Sequence, residues 1–461
     1  MAVEHVVVLM LENRSFDSVA GKLRDGTPGF DGLTGAESNV WHRPDGTAQV
    51  VPVWNEPGMD AAVARMPDPD PGELFADIAV QLGGLDGATP MGGFVDNYMR
   101  QPGKAPREPR AVMHYFTPGQ LPVLSTLGTA FGISDRWFAS APCQTWPNRF
   151  FTHCGTAHGW VNNTPYHFPY TMRTVFDLLD TAGQTWRIYF HDVPQAASLA
   201  RLWTRPGRFR RFNAFLADAA NGSLPSYSFI EPRYFTDVVL QQMPNDEQPT
   251  HNILYGEALI ASVYNALRAG PKWPQTLLIV LHDEHGGCYD HVPPPAATPP
   301  GPPYGDGFTF NRFGVRVPAV IVSPHVAPGS LIRPAGPVPF DHTSIIATLR
   351  KLFGLGPLTP RDAAAPDLLP ALGATPANNG PDRIEALPVQ TTPAAMVAAK
   401  LRPPNEVQHA LAAAAAHLPT AGSDPALHAQ RIAAAPTPVL TGLAATAEFV
   451  KAHVAAFLGN P

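Results

Sequence analysis

Short apolar runs, each ending in acids or histidines, set the rhythm of this chain. Val6 to Leu11 is an unbroken Val/Leu/Met stretch that runs into Glu12-Asn13. That is the pattern of a strand buried on both faces of a parallel sheet. Phe131 to Ser134 ends at Asp135, Trp186 to Phe190 at His191-Asp192, and Tyr227 to Ile230 at Glu231. Thr276 to Leu281 runs into His282-Asp283-Glu284-His285, and Val315 to Val322 into Ser323-Pro324-His325. Helical periodicity lies between several of these, as over Arg173 to Ala182 and Gly256 to Ala269. Strands alternating with helices predict an α/β fold around a mostly parallel sheet. Ligands bind such sheets beyond the carboxyl ends of the strands, which is where the polar residues gather.

The remaining pattern divides the chain into a catalytic domain over residues 1–360 and an Ala/Pro-rich helical extension over 361–461 that packs on it. Residues 21–109 are rich in Gly, Pro and Asp and read as a capping insertion, with one helix around Glu73 to Gln81. Pro293 to Pro303 is a proline-dense loop. Asp341 to Leu355 predicts a helix with Asp341 or Thr343 capping its start and Gly354 its end. Helices are also expected over Glu406 to Leu418 and Ala444 to Leu458.

Composition narrows the class. Of 461 residues, 44% are hydrophobic and 15% charged, which describes a protein with a substantial core. The 53 prolines are about twice the usual share and predict ordered, punctuated loops. The net charge of -6 comes with no block of Lys or Arg, so no nucleic-acid partner is expected. The three cysteines imply no disulfide framework and leave at most a Cys143–Cys154 bridge open. No run approaches the about 20 apolar residues of a membrane span. The apolar N-terminal run is short and lacks a basic segment before it, so the chain as written reads as cytoplasmic, or periplasmic or secreted had a signal been removed. Oligomeric state is left open.

Three clusters carry candidate chemistry. Glu12-Asn13 after the first strand offers hard oxygen ligands for a divalent cation, or a helix cap. In Gln144-Thr145-Trp146-Pro147-Asn148-Arg149, Pro147 puts Thr145 at or just before a helix N-terminus, because proline favours the first turn. A hydroxyl there sits where free N–H groups attract a phosphoryl group; the alternative is an ordinary Thr cap. His282-Asp283-Glu284-His285-Gly286-Gly287 has a metal-ligand composition, although Asp283 and Glu284 converge only if the strand ends before them. His114, His153, His191, His251 and His342 each read alone as structural, with His191 and His342 ranked first. The chain has no G-x-S-x-G elbow, no Walker-type loop and no zincin spacing.

Taken in order, ENRSFD, QTWPNR and HDEHGGCYDHVPPP, supported by YSFIEP and FDHTSIIATL, resemble the phosphoesterase family. That family holds bacterial phospholipases C, plant non-specific phospholipases C and an acid phosphatase branch, and the resemblance covers about residues 4 to 355. It implies an alkaline-phosphatase-like α/β sandwich with helices on both faces of the sheet. It also implies Glu12, Asn13, Thr145, Asp283 and Glu284 as ligands of a divalent metal (calcium, magnesium, manganese or zinc), and Thr145 as a nucleophile that becomes phosphorylated. His191, His251 and His342 become candidates for phosphate contact or leaving-group protonation. Asn148, Arg149, His114 and His285 become candidates for substrate binding, with a structural role for Arg149 as the alternative. One motif departs: where relatives read D-x-H-P, this chain has Asp246-Glu247-Gln248-Pro249, so Gln248 stands in a histidine's place. The implied substrate is a phosphate ester, with phospholipid head-group diesters preferred and acid phosphatase activity as the alternative. A sulfatase is disfavoured, because TWPNR starts with Thr where sulfatases need Cys or Ser. A catalytically inactive metal-binding relative is the reading from another class.

Overall fold

The computed structural model describes residues 3–85, 91–103, 105–163, 170–237, 239–376, 380–424, 428 and 442–459. Among the described residues ten strands are formed: β1 (His5–Leu11), β2 (Ser38–His42), β3 (Ala48–Pro52), β4 (Gly132–Ser134), β5 (Trp186–Phe190), β6 (Phe209–Arg211), β7 (Tyr227–Glu231), β8 (Thr276–His282), β9 (Ala319–Val322) and β10 (Ser330–Leu331). Eight of them make one sheet in the order β10-β4-β9-β8-β1-β7-β5-β6, and β2 and β3 form a separate hairpin. β1 lies in the interior and pairs in parallel with β7 and β8. All its residues are buried. Since successive side chains alternate faces, helices must cover both sides of it. Two helix groups do so. Pro122–Ala130, Phe212–Asn221 and Ile253–Ala269 pack together, as do Thr145–Cys154, Val175–Thr181 and Thr343–Phe353. The expected α/β class, with a mostly parallel central sheet, is the observed one.

One strand departs from expectation. Pro318 interrupts the Val315–Val322 run, because proline gives no N–H to a ladder, and β9 starts only at Ala319. It also runs antiparallel, pairing Leu281 with Ala319 and Leu278 with Val322. Its carboxyl end therefore lies at the opposite edge of the sheet from Glu12 and Asp283, where Ser323 Oγ donates to the Thr276 carbonyl. His325 is spent there on the Pro274 and Gly373 carbonyls. A second correction concerns a cap. The helix Thr343–Phe353 has His342 as its N-cap, with no side-chain cap bond, while Gly354 (φ 66°) closes it as expected.

Residues from β1 to the last helix share one hydrophobic cluster. Val407 and Leu411 of the helix Glu406–Ala416 belong to it, as do Val450 and Phe457 of the helix Leu443–Leu458. Ile78, Leu82, Phe94 and Tyr98 form a smaller cluster with Tyr289 and Val315. All three cysteines are free and buried.

Beyond β8 the chain is pinned by a buried ion network. Arg316 donates to Asp17 Oδ1 (3.0 Å) and Asp290 Oδ1 (2.9 Å). His291 bonds Asp17 Oδ2 (2.7 Å) and Asp31 Oδ1 (3.2 Å). Asp17, Asp290 and His291 lie close enough to hold a cation, but the Arg316 guanidinium already supplies positive charge to both carboxylates. Burial works to lower the His291 pKa, yet the bonds to Asp17 and Asp31 outweigh it and hold the ring at about 10. A base whose pKa is raised on folding contributes stability below its unfolded pKa of about 6.5 and loses it as pH climbs. Asp17, pushed up to about 6 chiefly by burial, titrates below that window. Unfolding free energy from urea titrations is therefore expected to decline between about pH 6.5 and about pH 10, and His291→Gln to flatten that decline.

Candidate functional site

Register brings the first two acids together. Leu11 pairs with His282 across β1 and β8, so Glu12 and Asp283, one residue on, leave adjacent strands side by side. A third element packs against them. The helix Thr145–Cys154 starts after the extended Gln144, has Pro147 in its first turn and ends at Gly155 in the left-handed conformation (φ 69°). Arg149 lies one turn after Thr145, and residues so spaced share a helix face. Its Nε donates to Asp283 Oδ2 (2.8 Å), and one terminal nitrogen donates to Glu12 Oε1 (2.7 Å) and, at 3.3 Å, to the Met10 and Leu11 carbonyls. Thr145 Oγ1 then sits 3.2 Å from Glu12 Oε2 and 3.4 Å from Asn13 Oδ1.

The loop after β8 completes the cluster. β8 ends at His282, which frees Asp283 and Glu284 from strand alternation. Asp283 Oδ1 accepts the Asn13 N–H (3.1 Å) and the Glu284 N–H (2.8 Å). Glu284 Oε2 accepts the Gly286 N–H (2.8 Å), and Oε1 is buried without a partner. Gly286 is required for this turn. Its φ is 61°, and a Cβ there would stand 2.2 Å from the Asn13 carbonyl oxygen.

Charge in this cluster is poorly balanced. Burial, then Asp283, pushes the Glu12 pKa well above the usual carboxylate range, with Arg149 pulling it back. Burial also raises Glu284, and it raises Glu73 and Asp70 strongly. Arg149 keeps its charge because Tyr234, Glu12, Asp283 and Glu231 outweigh the burial that opposes it. Two buried guanidiniums, Arg149 and Arg14, thus face a larger number of acids. The donors that converge on Thr145 are oxygens, which suit a hard divalent cation, and the orphaned Glu284 Oε1 is an open acceptor for one. Glu12 Oε2 and Asn13 Oδ1 meet at the Thr145 hydroxyl and Glu284 Oε1 is left open, an oxygen chemistry that suits such an ion. The acids and histidine close enough to share a cation among the described residues are, however, Asp17, Asp290 and His291.

The other candidates fall into different places. The Asn148 amide is engaged with the backbone: Oδ1 accepts the Ala141 N–H, and Nδ2 donates to the Ala141, Cys143 and Gln144 carbonyls. Arg149 bonds Glu12 and Asp283 and holds the two acids together. His342 spends both ring nitrogens, Nε2 on the Asp283 carbonyl (2.6 Å) and Nδ1 on the Trp137 indole N–H (3.3 Å). Burial lowers its pKa to about 4, and both ring nitrogens are engaged within the fold. His285 is held between Glu284 (3.0 Å) and Gln81 (2.7 Å). His114 lies edge-on to Trp54 and Phe116, with a pKa lowered to about 3 by burial, and is part of the insertion's packing. His191 bonds the Glu231 carbonyl (3.0 Å) and stacks on Phe212. It lines a cavity of about 920 Å³, whereas Thr145 itself is fully buried. His251 bonds Asp246 Oδ1 (2.7 Å), and the Asp246 carbonyl accepts the Glu12 N–H (2.7 Å), so His251 is linked to the site through Asp246. Gln248 accepts from Asn405. The helix end is also less open than expected, since Trp146 N–H is bonded to Asn163 Oδ1 (2.8 Å) and Pro147 has none; the Thr145 N–H remains.

Reading the sequence missed Asp70, Glu73 and Gln81 of the insertion, and Asp246 as a backbone partner of Glu12. Two acids among prolines before a short helix were the only local sign of the first pair. Gly286→Ala should lower the melting temperature more than Gly183→Ala, which shares the left-handed φ but meets nothing within 4 Å. The difference, read by thermal unfolding, should correspond to about 1–3 kcal/mol for the steric clash.

The sequence profile of the Phosphoesterase family matches residues 3–356. Non-specific phospholipase C1 of Arabidopsis thaliana is 38% identical over 387 residues, covering 79% of this chain and 69% of that protein. Non-hemolytic phospholipase C of Pseudomonas aeruginosa is 28% identical over 461 residues, covering 89% of this chain and 63% of that protein. Among solved structures, an alkaline phosphatase superfamily protein from Vibrio parahaemolyticus superposes with a TM-score of 0.33 at 12% identity, covering 74% of this chain and 75% of that one.

Proposed function

The chain belongs to the phosphoesterase family, and from that premise we propose that it cleaves phosphodiester head groups as a phospholipase C does, through a phosphothreonine at Thr145 and with a divalent cation at the buried oxygens. That it is a phosphoric ester hydrolase follows from the family and from relatives named phospholipase C. The observation that carries the finer reading is the Thr145 hydroxyl, held at a helix start against Glu12 and Asn13.

Two displacements account for hydrolysis. In the first, Thr145 Oγ1 bonds to phosphorus and the bond to the departing alcohol breaks; the Glu12 carboxylate oxygen, 3.2 Å away, takes the hydroxyl proton and returns it when the Thr145 ester is cleaved. In the second, a water oxygen bonds to phosphorus and the Thr145 ester breaks, so phosphate or a phosphomonoester leaves and the hydroxyl is restored. The Thr145 N–H is the helix-end donor left for a phosphoryl oxygen. Asn13 Oδ1 orients the attacking hydroxyl, and Arg149 keeps Glu12 and Asp283 from separating. A divalent cation at Glu12, Asn13, Thr145, Asp283 and Glu284 would lower the hydroxyl pKa and screen phosphoryl charge. Calcium, magnesium and manganese suit these oxygens better than zinc, because the ring nitrogens of His285 and His342 are engaged elsewhere. The departing alcohol needs a proton. An amide such as Gln248 has none to give at ordinary pH, so His251, held by Asp246, takes that role.

The assay compares p-nitrophenylphosphorylcholine with p-nitrophenyl phosphate. We expect the diester to turn over faster, with Thr145→Ala and chelation each removing the activity and added divalent cation restoring only the chelated wild type. A faster monoester would make the enzyme a phosphatase. A Thr145→Ala variant with near-normal rates would rule out the covalent route.

A further inference from the structure

Asn13 is a two-faced side chain: its Oδ1 only accepts hydrogen bonds and its Nδ2 only donates them. Which end meets Thr145 decides whether the hydroxyl faces an acceptor or a competing donor. The backbone leaves little else free. Asn13 has a φ of 58°, its N–H is bonded to Asp283 Oδ1, and its carbonyl oxygen is packed against Gly286. The remaining freedom is a flip of the amide. Glu73 removes it. Its Oε1 accepts from Asn13 Nδ2 at 2.8 Å, which turns Oδ1 toward Thr145 Oγ1 at 3.4 Å.

Glu73 is an expensive residue to keep there. It is 4% exposed, and Glu284 and Asp70 both act on it with like charge. A side chain that only filled space would be apolar, since a buried carboxylate among carboxylates costs stability. The segment carrying it is docked independently of Asn13. Gln81, in the helix Phe75–Leu82, donates to the Gly72 carbonyl (2.7 Å) and meets His285 Nε2 through Oε1 (2.7 Å). The insertion therefore touches the loops after both β1 and β8.

We propose that Glu73 is a positioning residue that orients the Asn13 amide toward the nucleophile, making the insertion part of the catalytic unit. This rests on the reading of Thr145 as nucleophile. Glu73 need not touch substrate; it acts through Asn13.

The test measures kcat, KM and melting temperature for Glu73→Leu, Glu73→Gln, Asn13→Asp and the double variant Asn13→Asp/Glu73→Gln, with p-nitrophenylphosphorylcholine as substrate. Glu73→Leu should lower kcat by about 10–100-fold, the usual effect of losing a supporting contact, with KM little changed and no loss of melting temperature. Glu73→Gln, which still offers an oxygen, should recover most of that kcat. Asn13→Asp sets two carboxylates against each other and should lower the melting temperature measured in chelator. The double variant should restore it, because the introduced amide donates to the introduced carboxylate. Wild-type kcat in Glu73→Leu, a Glu73→Gln variant no better than Glu73→Leu, or a double variant that stays as unstable as Asn13→Asp would each overturn the proposal. If the double variant recovers its melting temperature while Thr145→Ala remains active, the amide contact stands and the nucleophile assignment falls.

Discussion

Everything at this site hangs on a buried guanidinium. Glu12 and Asp283 are placed next to each other by the register of two parallel strands, in a region where both are fully buried. Two carboxylates so placed would repel strongly at low dielectric. Arg149 bonds one oxygen of each and also ties down the end of β1 through the Met10 and Leu11 carbonyls. Because it rides one turn behind Thr145 on the same helix, the same contacts that neutralise the acids set the hydroxyl over them. Removing one partner of such a buried cluster typically costs about 3–5 kcal/mol, mostly the penalty of the charge left behind. Helix, strand ends and the Thr145 hydroxyl are thus one mechanical unit.

The unit is nevertheless under-compensated. Acids outnumber the guanidiniums of Arg149 and Arg14, several carboxyls are pushed upward by burial, and buried oxygens of Glu284, Asp70 and Asp246 lack partners. Proteins keep such arrangements at sites that bind charge, because elsewhere apolar packing is cheaper. The ion network of Arg316, Asp17, Asp290 and His291 makes the contrast. There positive and negative groups are matched, and the network serves to fasten the loop that follows β8.

Strand positions were legible in the chain because unbroken apolar runs are the direct imprint of a sheet buried on both faces. Val6 to Leu11, Trp186 to Phe190 and Thr276 to Leu281 fall in β1, β5 and β8, and the polar residues that end them include the core of the site. Strand direction was not legible, since composition has no sense of direction, and β9 ran the other way. Histidine roles were the least legible. His342 is engaged by a backbone carbonyl and an indole, partners that leave no signature near it in sequence. Glu73 was hidden for a related reason: it meets Asn13 only after about 60 residues of chain have folded back, and nothing local marks that return.

The central claim is a covalent phosphothreonine, and it predicts a stereochemical signature. Two in-line displacements at phosphorus restore the original configuration, whereas a single attack by water inverts it. The decisive measurement follows the configuration at phosphorus during hydrolysis of a phosphorothioate diester made chiral at that centre, in isotopically labelled water. Net retention is the predicted result. Net inversion would mean that water attacks directly, and Thr145 would then be a ligand or a structural residue instead of the nucleophile.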